Sequence, residues 1–262
     1  TPHQDARTWP SSGAAGALTC RLLAVETSDL LAAFVVMTLA SGIQGAIGFG
    51  GNLIAAPLLV LVNPDLVPGP IILAGLFLNL LVVRRDTCER PWHQLAGANV
   101  GQTVGSIGAI ALLASLPTDQ LTVAFSLIIL AAVALSASGL HPAPTPRNRV
   151  VGGIASGFMG TTTGIGGPPM ALVLQSLDPL ELRALLSRFF LLGGAVSLVL
   201  LAWVGRFDQT QAIAGLVLLP GVVAGYSASG WLATHAERNH IRWAVLGLST
   251  ASALIALVRA VA

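Results

Sequence analysis

Two clusters carry residue types and spacing that could do chemistry: Gly48-Phe49-Gly50-Gly51-Asn52 and Gly164-Ile165-Gly166-Gly167-Pro168, 116 residues apart (48 to 164). The chemistry they suit is anion binding. Glycine inside a long apolar stretch is a poor choice for a continuous helix, and each cluster opens directly into a fresh apolar run. The pattern predicts helix, unwound turn, helix, twice. A helix that restarts after such a turn presents unsatisfied N–H groups and a positive dipole end, and these are a ready anion site. Asn52 offers a cap or a ligand hydrogen bond. Pro168 and Pro169 suit the first turn of a helix, because proline has no N–H to leave orphaned there. Gln44 adds an amide beside the first tip, and Thr161, Thr162 and Thr163 add hydroxyls beside the second. Taken singly, each cluster could serve helix packing, since glycine is common where membrane helices cross. Its recurrence with a polar neighbour and a helix restart favours a site.

The elements that would hold these clusters follow from composition. Of the 262 residues, 54% are hydrophobic and only 9% charged, against about 25% charged in a soluble domain. The expectation is an all-α integral membrane protein, multi-pass, with the lipid bilayer and a small anionic substrate as its partners. The eleven acidic residues fall in apparent loops, flanks or the tail, and the thirteen basic residues are all Arg, most of them in the same loops. A bilayer imposes that segregation, since a charge at its centre costs several kcal/mol. No basic patch with interleaved aromatics points to nucleic acid. Cys20 and Cys88 have no metal-ligand spacing, and His93, His141, His235 and His240 sit at span ends without one. No cofactor or metal is expected, and the composition leaves a homo-oligomer open.

In chain order, residues 1–27 read as a weakly ordered tail, without the basic head and apolar run of a signal peptide before the first span. Residues 28–139 form a first transmembrane repeat, 140–149 a proline-rich linker, and 150–262 a second repeat. Each repeat is read as five helical segments: a glycine-broken or re-entrant pair, then three full spans. The later parts match as well, because Gly101-x-x-x-Gly105 lies 120 residues before Gly221-x-x-x-Gly225. That is internal duplication, detected from spacing. A broken pair plus three spans crosses the membrane an odd number of times, so the repeats are expected to be inverted. Arginine counting agrees: the 84–90, 147–149 and 238–242 loops, with Arg183, fall on the cytoplasmic side, leaving Arg7, Arg21, Arg206 and Arg259 outside.

Other polar residues within spans are weaker candidates for the site. Arg188 is read as the one charge inside a span, at the start of a segment taken to run over 184–204. It either helps compensate the substrate's charge or snorkels to the interface. Asn79 sits mid-span, where an unpaired amide is costly, as an interhelical hydrogen bond or a pore-lining donor. Gln102, Thr103 and Ser106 read as helix glue. Enzyme signatures are missing: no His-Glu-x-x-His, no nucleophile elbow, no paired carboxylates at membrane depth.

The two tips, Gly48-Phe49-Gly50-Gly51 and Gly164-Ile165-Gly166-Gly167, each closing a glycine-bearing apolar segment and preceding an apolar helix, resemble the TauE/SafE sulfite exporter family. The resemblance covers the chain from about residue 28. It implies a bacterial inner-membrane exporter of sulfite, sulfoacetate or related organosulfur anions. The core of the site, as read from the glycine breaks themselves, is Gly48, Phe49, Gly50, Gly51, Asn52, Gly164, Gly166, Gly167 and Pro168. The first tip carries Asn52 where the second carries Pro168, so the two need not be chemically equivalent. Two other readings stand beside it: a transporter of another small anion such as a carboxylate, and a non-transport scaffold subunit.

Overall fold

Glycine and proline punctuation divides the apolar sequence into helices, and a computed structural model shows where each begins and ends. It describes residues 27–86, 91–116 and 118–235, and beyond these 246–252, 254, 255 and 258. The N-terminal tail, both cysteines and the Arg238/Arg242 loop lie outside the described residues. The helices are α1 (Thr27–Ile47), α2 (Gly51–Val62), α3 (Gly69–Arg85), α4 (Ala96–Ser115), α5 (Thr118–Ala137), α6 (Pro146–Thr163), α7 (Gly167–Leu174), α8 (Pro179–Trp203), α9 (Gln209–Val217) and α10 (Leu219–His235). Residues 246–252 are helical as well. No strand occurs among the described residues.

Four segments are long and apolar enough to cross a bilayer: Asp29–Ile47, Trp92–Ser115, Pro179–Trp203 and Gln209–His235. At 1.5 Å per residue, 19 to 27 residues span about 30 Å or more. The chain is therefore an all-helical, multi-pass membrane protein. At twelve and eight residues, α2 and α7 are too short to cross.

Small residues set the helix crossings. α4 lies along α6, and α1 along α10; these are the two most extensive helix pairs. A Cβ on Gly101 or Gly105 would run into the carbonyls of Val150 and Ile154 on α6. On the other pair, a Cβ on Gly221 or Gly225 would run into those of Phe34 and Thr38 on α1. The partners are themselves 116 apart (34 to 150, 38 to 154), the spacing of the two glycine tips. So α4 packs on α6, and α10 on α1, at residues with matching spacing.

Three boundaries differ from the sequence expectation. The linker expected over 140–149 ends early, because α6 starts at Pro146 with Thr145 as its cap. A full span expected before the 238–242 loop is broken at Leu218, whose N–H bonds the Gly215 carbonyl three residues back. Pro220, two residues on, has no N–H to offer. The helix predicted from 184 starts at Pro179 instead, with proline in its first turn. That start brings Arg183 out of a loop and into the helix.

Candidate functional site

Each tip is built the same way at its first glycine. Gly48 has φ 100° and its N–H bonds the Gln44 carbonyl at 2.7 Å; Gly164 has φ 79° and bonds the Gly160 carbonyl at 2.8 Å. Both are left-handed C-terminal stops, a conformation that favours glycine. The tips diverge two residues later, where Gly50 is again left-handed at φ 93° but Gly166 is not, at φ −95°.

The two tips touch. Asn52 Nδ2 donates to the Gly164 carbonyl at 2.8 Å, so it neither caps its own helix nor stands free. A Cβ on Gly167 would sit 3.4 Å from Phe49 Cβ and 3.7 Å from Gly50 N. Beside this junction lies a cavity of about 60 Å³, several times the ~10–15 Å³ that admits one water. Gln44, Phe49, Gly50 and Asn52 line it from the first tip, and Gly164, Gly166, Gly167 and Pro168 from the second. Asn79 faces it from α3, with Nδ2 donating to the Gly75 carbonyl at 2.7 Å and Oδ1 3.5 Å from Gln44 Nε2. Around Gly50 there is open space: a Cβ there would meet nothing within 4 Å.

The remaining sequence candidates lie elsewhere. Gly48 is pressed against Arg183 Cα, and Gly51 against α1 at Ala40 and Gln44, so both are packing positions. Thr161, Thr162 and Thr163 are fully buried and are not on the cavity lining. Thr161 Oγ1 bonds Ser106 Oγ at 2.8 Å and Ser197 Oγ at 2.7 Å; Thr162 and Thr163 bond the Met159 carbonyl. The Thr162 and Thr163 hydroxyls take the turn that precedes them, and that of Thr161 is held between α4 and α8. The Arg188 guanidinium lies over the Trp92 ring, 5.0 Å from its centroid, and is not on the lining. Nor is it the only charge within its helix.

Glu181 and Arg183 also lie in α8, and Arg183 belongs to a buried cluster the sequence reading missed. Its guanidinium pairs with Asp86 through Nε and donates from Nη1 to the Ala46 carbonyl at 3.1 Å. Arg85 pairs with the other Asp86 oxygen at 3.0 Å, donates to the Gly45 carbonyl and to Ser229 Oγ, both at 2.7 Å, and lies over Tyr226. Asp86 is 8% exposed. Two cations thus meet the orphaned carbonyls at the C-terminal end of α1, where the dipole is negative. Burial pushes the Asp86 carboxyl up, and the hydrogen bonds from Arg183 and Arg85 more than offset it, holding it below its ordinary value. Asp86 lies in the flank directly after α3, as the sequence predicts, but it is buried there, locked in its ion pairs and ionised at neutral pH.

Sequence reasoning passed over Ser156, Ser197 and Phe190, which line the cavity together with Gln102, read from the sequence as helix glue. No lining residue carries a charge, and no group of His, Cys, Asp or Glu suited to a metal occurs among the described residues. The cavity can therefore hold a small solute by neutral side-chain groups and the uncapped start of α2.

The chain matches no curated protein and no solved structure. A family profile, Sulfite exporter TauE/SafE, matches residues 33–255, which takes in both tips, the cavity and every helix from α2 to α10. By that match the chain belongs to the TauE/SafE sulfite exporter family, a family of membrane transporters.

Proposed function

We propose that this protein exports small sulfur oxyanions, such as sulfite, sulfoacetate or related sulfonates, across the bacterial inner membrane, and that the cavity between the two glycine tips is where the anion binds. One observation carries the reading: two glycine turns 116 residues apart in sequence touch each other and share one cavity lined by neutral polar groups. Family membership supports the substrate class. A scaffold has no reason to expose unpaired backbone at membrane depth, where each unsatisfied group costs several kcal/mol.

A panel of sulfite, sulfoacetate, sulfate, acetate and succinate, loaded into proteoliposomes, tests the assignment. Saturable efflux of the sulfur anions above protein-free liposomes is expected, with the carboxylates at least tenfold slower. Preference for a carboxylate would favour the other-anion reading, and no efflux of anything would favour the scaffold.

The same reading takes the halves as inverted repeats around the shared cavity. The matched crossings of α4 on α6 and α10 on α1 support it. Asp65 and Leu180 follow the two short helices at equivalent places and are both exposed. In a background with Cys20 and Cys88 replaced by Ser, Asp65→Cys should react with an impermeant reagent added to intact cells. Leu180→Cys should react only after permeabilisation. Equal labelling of both from outside would mean parallel halves.

A further inference from the structure

Most hydrogen-bond donors on the cavity lining are already engaged. Asn52 and Asn79 each give a hydrogen to a backbone carbonyl, those of Gly164 and Gly75, and Gln44 turns its amide nitrogen to Asn79 Oδ1. Thr161 donates its one hydroxyl proton to Ser106, so in the 2.7 Å contact between Thr161 and Ser197 the donor is Ser197. The Ser156 hydroxyl is shut away from the space. Gln102 is left. It lines the cavity from α4, it is 6% exposed, and its amide has no protein partner. The oxygen end is closed in, so the end that keeps surface is the nitrogen, a donor. A buried polar group without a partner needs an explanation. A donor at the edge of a cavity has one in an acceptor that comes from outside.

Glycines build the seat of this amide. A Cβ on Gly157 of α6 would run into the Gln102 backbone carbonyl, and a Cβ on Gly193 of α8 would overlap the amide itself. Gly157 thus sets how near α4 comes to α6, and Gly193 leaves the hollow in α8 that the side chain fills. Gly194 and Ser197, further along α8, continue the cavity wall. Gly193 is not on that wall, so a side chain added there reaches the cavity through Gln102.

The two tips differ in what they add. α2 starts Gly51-Asn52-Leu53, each with an N–H, whereas α7 starts Gly167-Pro168-Pro169 and lacks two of them. At the second tip the Ile165 N–H is also taken, by Thr163 Oγ1. Backbone donors therefore favour the first tip, where the dipole end is positive as well. A sulfonate or sulfite headgroup, whose charged oxygens all accept, can meet the start of α2 and the Gln102 amide together. Hydrogen bonds to such charged oxygens are the stronger kind.

Resting on the transport reading above, we propose that the anion binds against the first tip, between the start of α2 and the Gln102 amide, that Gln102 Nε2 is its side-chain donor, and that Gly193 is the residue that positions this amide.

Gln102→Met removes the donor and keeps the length. Because the amide has no protein partner to lose, the variant without substrate should unfold in detergent at the wild-type temperature or above. Its function should suffer instead. In proteoliposomes the KM for sulfite and for sulfoacetate should rise about tenfold or more, the worth of one hydrogen bond to a charged group. Added sulfoacetate should raise the unfolding temperature of wild type, and of Gln102→Met far less at the same concentration. Gly193→Ala, which pushes the amide aside, should raise KM in the wild type and change it by no more than about twofold in a Gln102→Ala background. Wild-type efflux with an unchanged KM in Gln102→Met overturns the inference and leaves transport intact. So does a Gln102→Met protein that unfolds well below wild type, which would show the amide bonded within the protein. A Gly193→Ala effect as large without the Gln102 side chain as with it overturns the positioning role. No saturable wild-type efflux of either anion overturns the transport reading and this inference with it.

Discussion

Gly50→Leu is expected to abolish transport while the protein still folds and inserts. A Cβ at Gly50 meets nothing within 4 Å, because the position looks into the cavity and not into a packed neighbour. A leucine side chain there would occupy much of the roughly 60 Å³ otherwise open to the anion. The backbone is left-handed at φ 93°, so a non-glycine residue carries strain of about 1–3 kcal/mol, which lowers stability without unfolding a large helical protein. Gly50→Asn, better tolerated in left-handed backbone, should fold more easily and transport slowly. Gly230→Leu is the control: on the exposed side of α10, with nothing within 4 Å of its Cβ, it should leave efflux unchanged. Gly166 is a poorer probe, since a Cβ there would approach the Ser156 carbonyl to 2.8 Å and confuse packing with occlusion. Normal efflux through Gly50→Leu would show that the anion does not pass this tip.

Asp86→Ala should cost the most stability of any single truncation. It removes the one anion between two guanidiniums, and breaking a buried pair by deleting one partner costs about 3–5 kcal/mol. The loss would spread, because Arg85 and Arg183 also hold the Gly45 and Ala46 carbonyls and Ser229 on α10. Asp86→Asn keeps one acceptor oxygen, enough for one of the two arginines, and should cost less than the alanine. Thermal unfolding in detergent, read with and without substrate, measures both variants. An Asp86→Ala protein as stable as wild type would mean that the cluster is solvated and contributes little, as surface pairs do.

What the sequence disclosed and what it hid divide along a physical line. Glycine acts locally: Gly48, Gly50 and Gly164 adopt φ values that favour glycine, and Gly101 and Gly105 bring a carbonyl closer than any Cβ permits. Such demands are written at the position itself, and their recurrence at 116 and 120 residues was readable. Partnership acts at a distance. Asp86 and Arg183 are 97 residues apart, and each looks like an ordinary loop charge until the fold joins them. Thr162 and Thr163 show the opposite case, since the turn just before them takes their hydroxyls, while Thr161 is held by Ser106 and Ser197 from two other helices. Gln102 had the composition of helix glue, and only its unpaired amide and its seat over Gly193 set it apart. The break at Leu218 was legible in Pro220 and was missed.

Energy coupling bears most directly on the central claim that an anion crosses through this cavity. The buried carboxylate, Asp86, is locked between two arginines and titrates below its ordinary value, which makes it a poor proton carrier near neutral pH. An inside-negative potential favours anion exit by about 2.3 kcal/mol per charge per 100 mV, and that is drive enough without a proton. The decisive measurement is efflux of radiolabelled sulfite from proteoliposomes under an imposed potential at zero pH gradient, with wild type and Gly50→Leu side by side. Wild-type efflux should saturate with sulfite, accelerate as the interior is made more negative, and vanish in Gly50→Leu. Wild-type efflux that needs a pH gradient and ignores the potential, or that persists in Gly50→Leu, would contradict the account.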